Sequence, residues 1–127
     1  MIKLLLVDDE KGITDSLESF FQNRGFTVYT ADGGEKALEI VKKDKPDIVF
    51  LDIRMRGMNG LEVLERIKKI DSKIKVIMLT IHEEKEIMDK AKALGADEYI
   101  TKPFRVDYLE EVVVKKVQEL MKARGNE

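Results

Sequence analysis

Five polar residues stand at or just past the ends of apolar runs: Asp8, Asp9, Asp52, Thr80 and Lys102. If those runs are strands of one parallel sheet, their ends share a rim, and three carboxylates, a hydroxyl and an ammonium converge there. Carboxylates held that close repel and raise one another's pKa unless a cation lies among them. With no His or Cys beside them, an all-oxygen set selects a hard ion, Mg2+ or Mn2+, and leaves coordination positions for water and phosphate oxygens. Asp52 follows the apolar stretch Ile48-Val49-Phe50-Leu51. With the ion and Lys102 offsetting charge, it becomes a nucleophile for an anionic phosphoryl donor. Thr80 would donate its hydroxyl to a phosphoryl oxygen, and the amides around Met55 and Arg56 would add further donors. Each residue also has a plainer reading. Asp8-Asp9 serve equally as acids at a helix start, and Thr80 equally as a cap for the fourth helix.

The elements that must position these groups are legible in the hydrophobic rhythm. Short apolar runs at 3–7, 27–30, 48–51, 75–79 and 98–100 read as strands. Between them lie stripes at helical spacing, such as Ile13, Leu17, Phe20 and Phe21, or Val63, Leu64, Ile67 and Ile70. The fourth stripe is Ile87, Ala91 and Leu94, and the last is Leu109, Val113, Val117 and Leu120. Gly25 and Gly95 close helices, and Gly33-Gly34 and Asn59-Gly60 mark turns before them. This alternation predicts an α/β fold: a doubly wound five-stranded parallel sheet of flavodoxin-like order 2-1-3-4-5, with five helices on both faces. Residues 1–123 read as one domain and 124–127 as a frayed tail.

Composition narrows the function classes. With 127 residues and 43% hydrophobic content the chain suits one globular core. Lys+Arg 23 against Asp+Glu 25 leaves no basic footprint, so direct nucleic-acid binding is not expected. Cysteine is absent, which excludes thiolate chemistry and fits a reducing compartment. No apolar stretch is long enough for a signal peptide or a membrane span, and a cytoplasmic location is the expectation.

Four motifs then act together: Asp8-Asp9-Glu10; Leu51-Asp52-Ile53-Arg54-Met55 with Met58-Asn59-Gly60; the lone Thr80; and Tyr99-Ile100-Thr101-Lys102-Pro103-Phe104. In this order and at these strand ends, the set resembles the receiver domains of bacterial two-component response regulators. It is similar to the stand-alone receivers of chemotaxis and sporulation phosphorelays, and the likeness spans essentially the whole chain. The resemblance implies Asp52 as phosphoacceptor and a phosphohistidine donor on a sensor histidine kinase or phosphotransfer protein. It implies Asp9 as a direct Mg2+ ligand, Asp8 as one acting largely through water, and the Arg54 carbonyl as completing the protein ligands. Thr80 and Lys102 become phosphoryl contacts, Thr80 and Tyr99 the switch, and the peptide before Pro103 is implied to be cis. The signal then leaves through the face of the fourth helix, last strand and last helix, towards an output domain or protein. The chain is a monomer or a phosphorylation-dependent dimer, and Val112, Val114 and Tyr108 offer a surface patch for contact. It is a switch with slow self-dephosphorylation rather than a turnover enzyme.

The chain departs from the family where Arg56 replaces the usual Pro and Ile81 the usual Ala or Gly. Arg54 and His82 take positions that flank the phosphoryl group, and Arg105 leaves the last helix weakly capped. The rival from another class is a phosphohydrolase of the haloacid-dehalogenase type. Its motif needs a second acid two residues after the nucleophile, where this chain has Arg54.

Overall fold

The computed structural model describes residues 2–81, 85–103 and 105–123; His82, Phe104 and the tail at 124–127 lie outside the described residues. Within them, five strands alternate with helices: β1 Lys3–Val7, α1 Lys11–Gln22, β2 Thr27–Ala31, α2 Gly34–Asp44, β3 Ile48–Asp52, α3 Gly60–Ile70, β4 Lys75–Thr80, α4 Lys85–Ala93 and β5 Glu98–Thr101. The last helix, α5, runs through three contiguous segments, Val106–Tyr108, a π-helical Leu109–Val113 and Val114–Ala123. All strand pairs are parallel, in the order β2-β1-β3-β4-β5. The expected doubly wound sheet is therefore present.

Because β-strand side chains alternate between faces, the central strands feed two separate cores. Leu5, Val7, Val49, Leu51, Val76 and Met78 pack under α2 and α3, with Ala91 of α4. Leu4, Leu6, Ile48, Phe50, Ile77 and Leu79 pack under α1 and α5 on the other side. Phe21 anchors that second core, with its ring 5.3 Å from Phe50 and edge-on to Phe20 and Phe26. Arg24 stacks over the Phe20 ring and pairs with Glu110, fastening α1 to α5.

Two features differ from the sequence reading. Strands β2 to β5 each continue one residue further than the apolar runs, because Ala31, Asp52, Thr80 and Thr101 keep the ladder pairing with their neighbours. Asp52 and Thr80 are thus the terminal residues of strands rather than the first loop residues. In α5, the buried stripe is Leu109, Val113, Val117 and Met121, while Leu120 is half-buried. A repeat of four drifts by about 40° per step around an ideal α-helix. The wider π turn at Leu109–Val113 counteracts that drift and keeps the stripe on the sheet. Tyr108 and Val114 are half-buried against the second core, so the patch expected from them and the likewise half-buried Val112 is partly covered by the fold itself.

Candidate functional site

Parallel registry brings the ends of β1, β3, β4 and β5 to one rim: Val7 pairs with Leu51, Asp52 with Leu79 and Thr80 with Thr101. Next to them lie the buried polar residues of the described chain: Asp8, Asp52, Thr80 and Lys102, with Thr14 of α1 nearby in sequence to the first. Burying ionisable groups is unfavourable unless they are paired, so their partners define the site.

Asp8 immediately follows β1. One of its oxygens accepts the Glu10 amide at 2.9 Å, which sets the start of α1, and the other accepts Lys102 Nζ at 2.6 Å. Asp52 Oδ1 lies 3.5 Å from the same ammonium and 3.4 Å from the Arg54 amide. Lys102 is placed by its own backbone, whose N–H donates to the Thr80 carbonyl at 2.7 Å, ahead of a cis peptide to Pro103. Asp9 sits further out, where the Arg56 amide donates to its Oδ2 at 3.1 Å. That amide was expected to add a donor to the phosphoryl site; here it donates to Asp9.

The electrostatics follow from this crowding. Burial, then the neighbouring Asp8 charge, raises the Asp52 pKa from 3.8 to about 6, against the pull of Lys102 and the Arg54 amide. Burial lowers the pKa of Lys102, but its hydrogen bond to Asp8 and the charges of Asp52, Asp8 and Glu10 outweigh that and raise it overall. Oxygens of Asp8, Asp9 and Asp52 all lie within 4.8 Å of one another. A trio of carboxylates crowded enough to raise the pKa of Asp52 carries more negative charge than Lys102 alone neutralises. Its donor set fits a hard divalent cation.

Between Asp52, Thr80 and Lys102 lies a recess of about 50 Å3, bordered also by Glu10, Arg54 and Ile81. It suits a group of a few heavy atoms. Ile81 stands at its edge, 53% exposed. Tyr99 of β5 is half-buried against the first core, and its hydroxyl donates to the Met88 carbonyl of α4 at 2.9 Å. Burial and the charges of Asp89 and Glu98 raise its pKa.

Gly60 belongs to this site for a reason that a turn signal alone does not convey. A Cβ there would lie 2.2 Å from the Asp52 carbonyl oxygen and 2.7 Å from Ile53 Cα, and the Gly60 amide donates to the Ile53 carbonyl at 2.8 Å. Only a residue without a side chain lets α3 start so close to the end of β3. The Asn59-Gly60 pair signals the turn, but the close approach is set by tertiary packing and is not visible locally. Asn59 caps the same helix, accepting the Glu62 amide.

Residues 4–114 match the family model of the response regulator receiver domain. Sporulation initiation phosphotransferase F of Bacillus subtilis is 41% identical over 113 residues, covering 89% of this chain and 91% of the relative. The chemotaxis protein CheY4 of Vibrio cholerae superposes with a TM-score of 0.86 at 30% identity, covering 94% of this chain and 98% of that one. A CheY-like receiver protein of Methanospirillum hungatei gives a TM-score of 0.89 at 29% identity, covering 97% and 98%.

Proposed function

The chain belongs to the response regulator receiver domain family of two-component signalling, and from that premise we propose that Asp52 takes a phosphoryl group from a phosphohistidine donor in a Mg2+-dependent transfer. The observation that carries this reading is the convergence of Asp8, Asp9 and Asp52 carboxylate oxygens within 4.8 Å, beside Lys102 and a recess bordered by Thr80. A divalent cation bound by Asp8, Asp9, Asp52 and the Arg54 carbonyl would neutralise the acids and the phosphoryl oxygens. Mn2+ offers the same chemistry.

The residues of the chain divide the remaining work. Lys102, at 3.5 Å from Asp52, holds its nucleophilic oxygen and meets a phosphoryl oxygen on transfer. Asp52 forms the new O–P bond as the donor's P–N bond breaks, and the leaving imidazole recovers its proton from solvent. The Thr80 hydroxyl donates to the transferred group. In the switched form, Thr80 moves towards the phosphoryl group and Tyr99 gives up Met88 to turn inward, remodelling the face made by α4, β5 and α5. The donor is a sensor histidine kinase or phosphotransfer protein, and the receiver of the signal an output domain or protein that reads this face. Residues 1–123 form the receiver unit, with 124–127 as its tail, and a cytoplasmic place of action goes with this role.

The test is incubation with a small phosphodonor and Mg2+, read by intact mass. The parent protein gains one phosphoryl group, and Asp52→Ala gains none. Phosphorylation of Asp52→Ala to the same extent, or continuous turnover of phosphate esters, would overturn the assignment and favour a hydrolase.

A further inference from the structure

The negative charge at the rim is divided between two cationic side chains. Lys102 engages Asp8, Glu10 and Asp52 from the buried side. Asp9 is engaged from the solvent side, where a single oxygen, Oδ2, meets both the Arg56 amide at 3.1 Å and the Arg56 Nε at 3.6 Å. That same carboxylate is one of the three whose oxygens cluster within 4.8 Å. Its side chain is 21% exposed and that of Arg56 is 92% exposed, so the guanidinium can leave without being drawn out of the protein interior.

We propose that Arg56 is a built-in rival of the divalent cation for Asp9. Its guanidinium neutralises Asp9 when no metal is bound and is released when one binds, holding the affinity for Mg2+ below what the three acids alone would give. The inference rests on the metal-site reading above and adds to it a residue that opposes binding. A displaced guanidinium has other acceptors, because Arg56 also borders a cavity of about 510 Å3 lined by Asp32, Glu35 and Glu39, with Lys36 the other cation there. Linkage makes the effect reciprocal: whatever the pair contributes to the metal-free state is subtracted from metal binding. The Arg56 side of the pair is exposed and screened by solvent, so its removal translates into a change in affinity of about two- to fivefold.

Mg2+ is titrated calorimetrically into the parent chain, Arg56→Ala and Arg56→Gln. Two substitutions are used so that neither a fold defect nor a change in loop propensity in one of them decides the result. Both are expected to bind Mg2+ about two- to fivefold more tightly than the parent at low salt. That advantage should shrink as added salt screens the charge. Equal or weaker affinity in both variants, with the parent binding normally, overturns the rivalry and leaves the metal site standing. Failure of all three proteins to bind Mg2+ overturns the metal-site reading and this inference with it.

Discussion

Lys102 Nζ donates to Asp8 Oδ2 at 2.6 Å, with both side chains at least nine-tenths buried. An ion pair this deep is costly to assemble, and removing one partner leaves the other charged without compensation. Lys102→Met keeps much of the stem's packing and deletes the charge. In metal-free buffer at neutral pH it should unfold more readily by about 3 kcal/mol, and Mg2+ should recover part of that loss. Phosphorylation from a small donor should fall by roughly a hundredfold or more, as expected when a charge-stabilising donor is removed. Urea unfolding with and without Mg2+ checks the first part. A variant as stable as the parent in chelator would contradict it.

The Asp52 carboxyl gives a pH signature of opposite sign to that of a salt-bridged acid. Its pKa is raised from 3.8 to about 6, burial first and Asp8 second. A raised acid favours the folded state most when protonated, so its contribution is complete below pH 3.8 and lost as pH rises through about 6. Asp52→Asn does not titrate. In chelator, the stability of the variant relative to the parent should therefore increase between pH 4 and pH 7.5, by on the order of 2 kcal/mol. Saturating Mg2+ should compress the difference. A flat difference across that range, measured by denaturant unfolding, would show that Asp52 is not charge-stressed.

At Gly60 the obstacle to a side chain is backbone. A methyl at this position would come within 2.2 Å of the Asp52 carbonyl oxygen, a clash that no turning of a flexible neighbour can relieve. Gly60→Ala must push the start of α3 away from β3, which costs about 1–3 kcal/mol in the manner of an overpacked core. It also shifts the end of β3 that carries Asp52, and the yield of phosphorylated protein should drop further than the stability loss explains. The comparison is made at a temperature where both proteins are fully folded by circular dichroism. Undiminished yield there would separate Gly60 from the site.

Apolar periodicity places the strands within a residue or so and the apolar faces of the helices between them, since burying one face of each is a local demand on sequence. It also sets Asp8, Asp52, Thr80 and Lys102 on a common rim, because parallel strands end together. What periodicity lacks is information carried by contacts between distant segments. The Arg56 amide turns to Asp9, 47 positions away, and Gly60 is fixed by the carbonyl of Asp52. The buried residue near the end of α5 passes from Leu120 to Met121 because a π turn alters the phase of the helix.

Ile81 tests how far the mouth of the recess governs the lifetime of a phosphorylated Asp52. It follows Thr80 directly, is 53% exposed and borders the recess of about 50 Å3 that Asp52 also lines. Hydrolysis needs water to reach phosphorus opposite the Asp52 oxygen, and transfer needs a donor to arrive from the same side. A β-branched side chain is stiff about its first torsion and cannot swing aside as freely as a linear one. Ile81→Ala should therefore speed both phosphorylation by a small donor and loss of the phosphoryl group, each by about threefold, equivalent to under 1 kcal/mol of barrier. Stability should stay within about 0.5 kcal/mol, as is usual for an exposed position. Phosphoprotein decay is followed by intact mass after the donor is removed. A decay rate equal to the parent's would show that Ile81 does not limit access of water, and an unchanged loading rate would show the same for the donor.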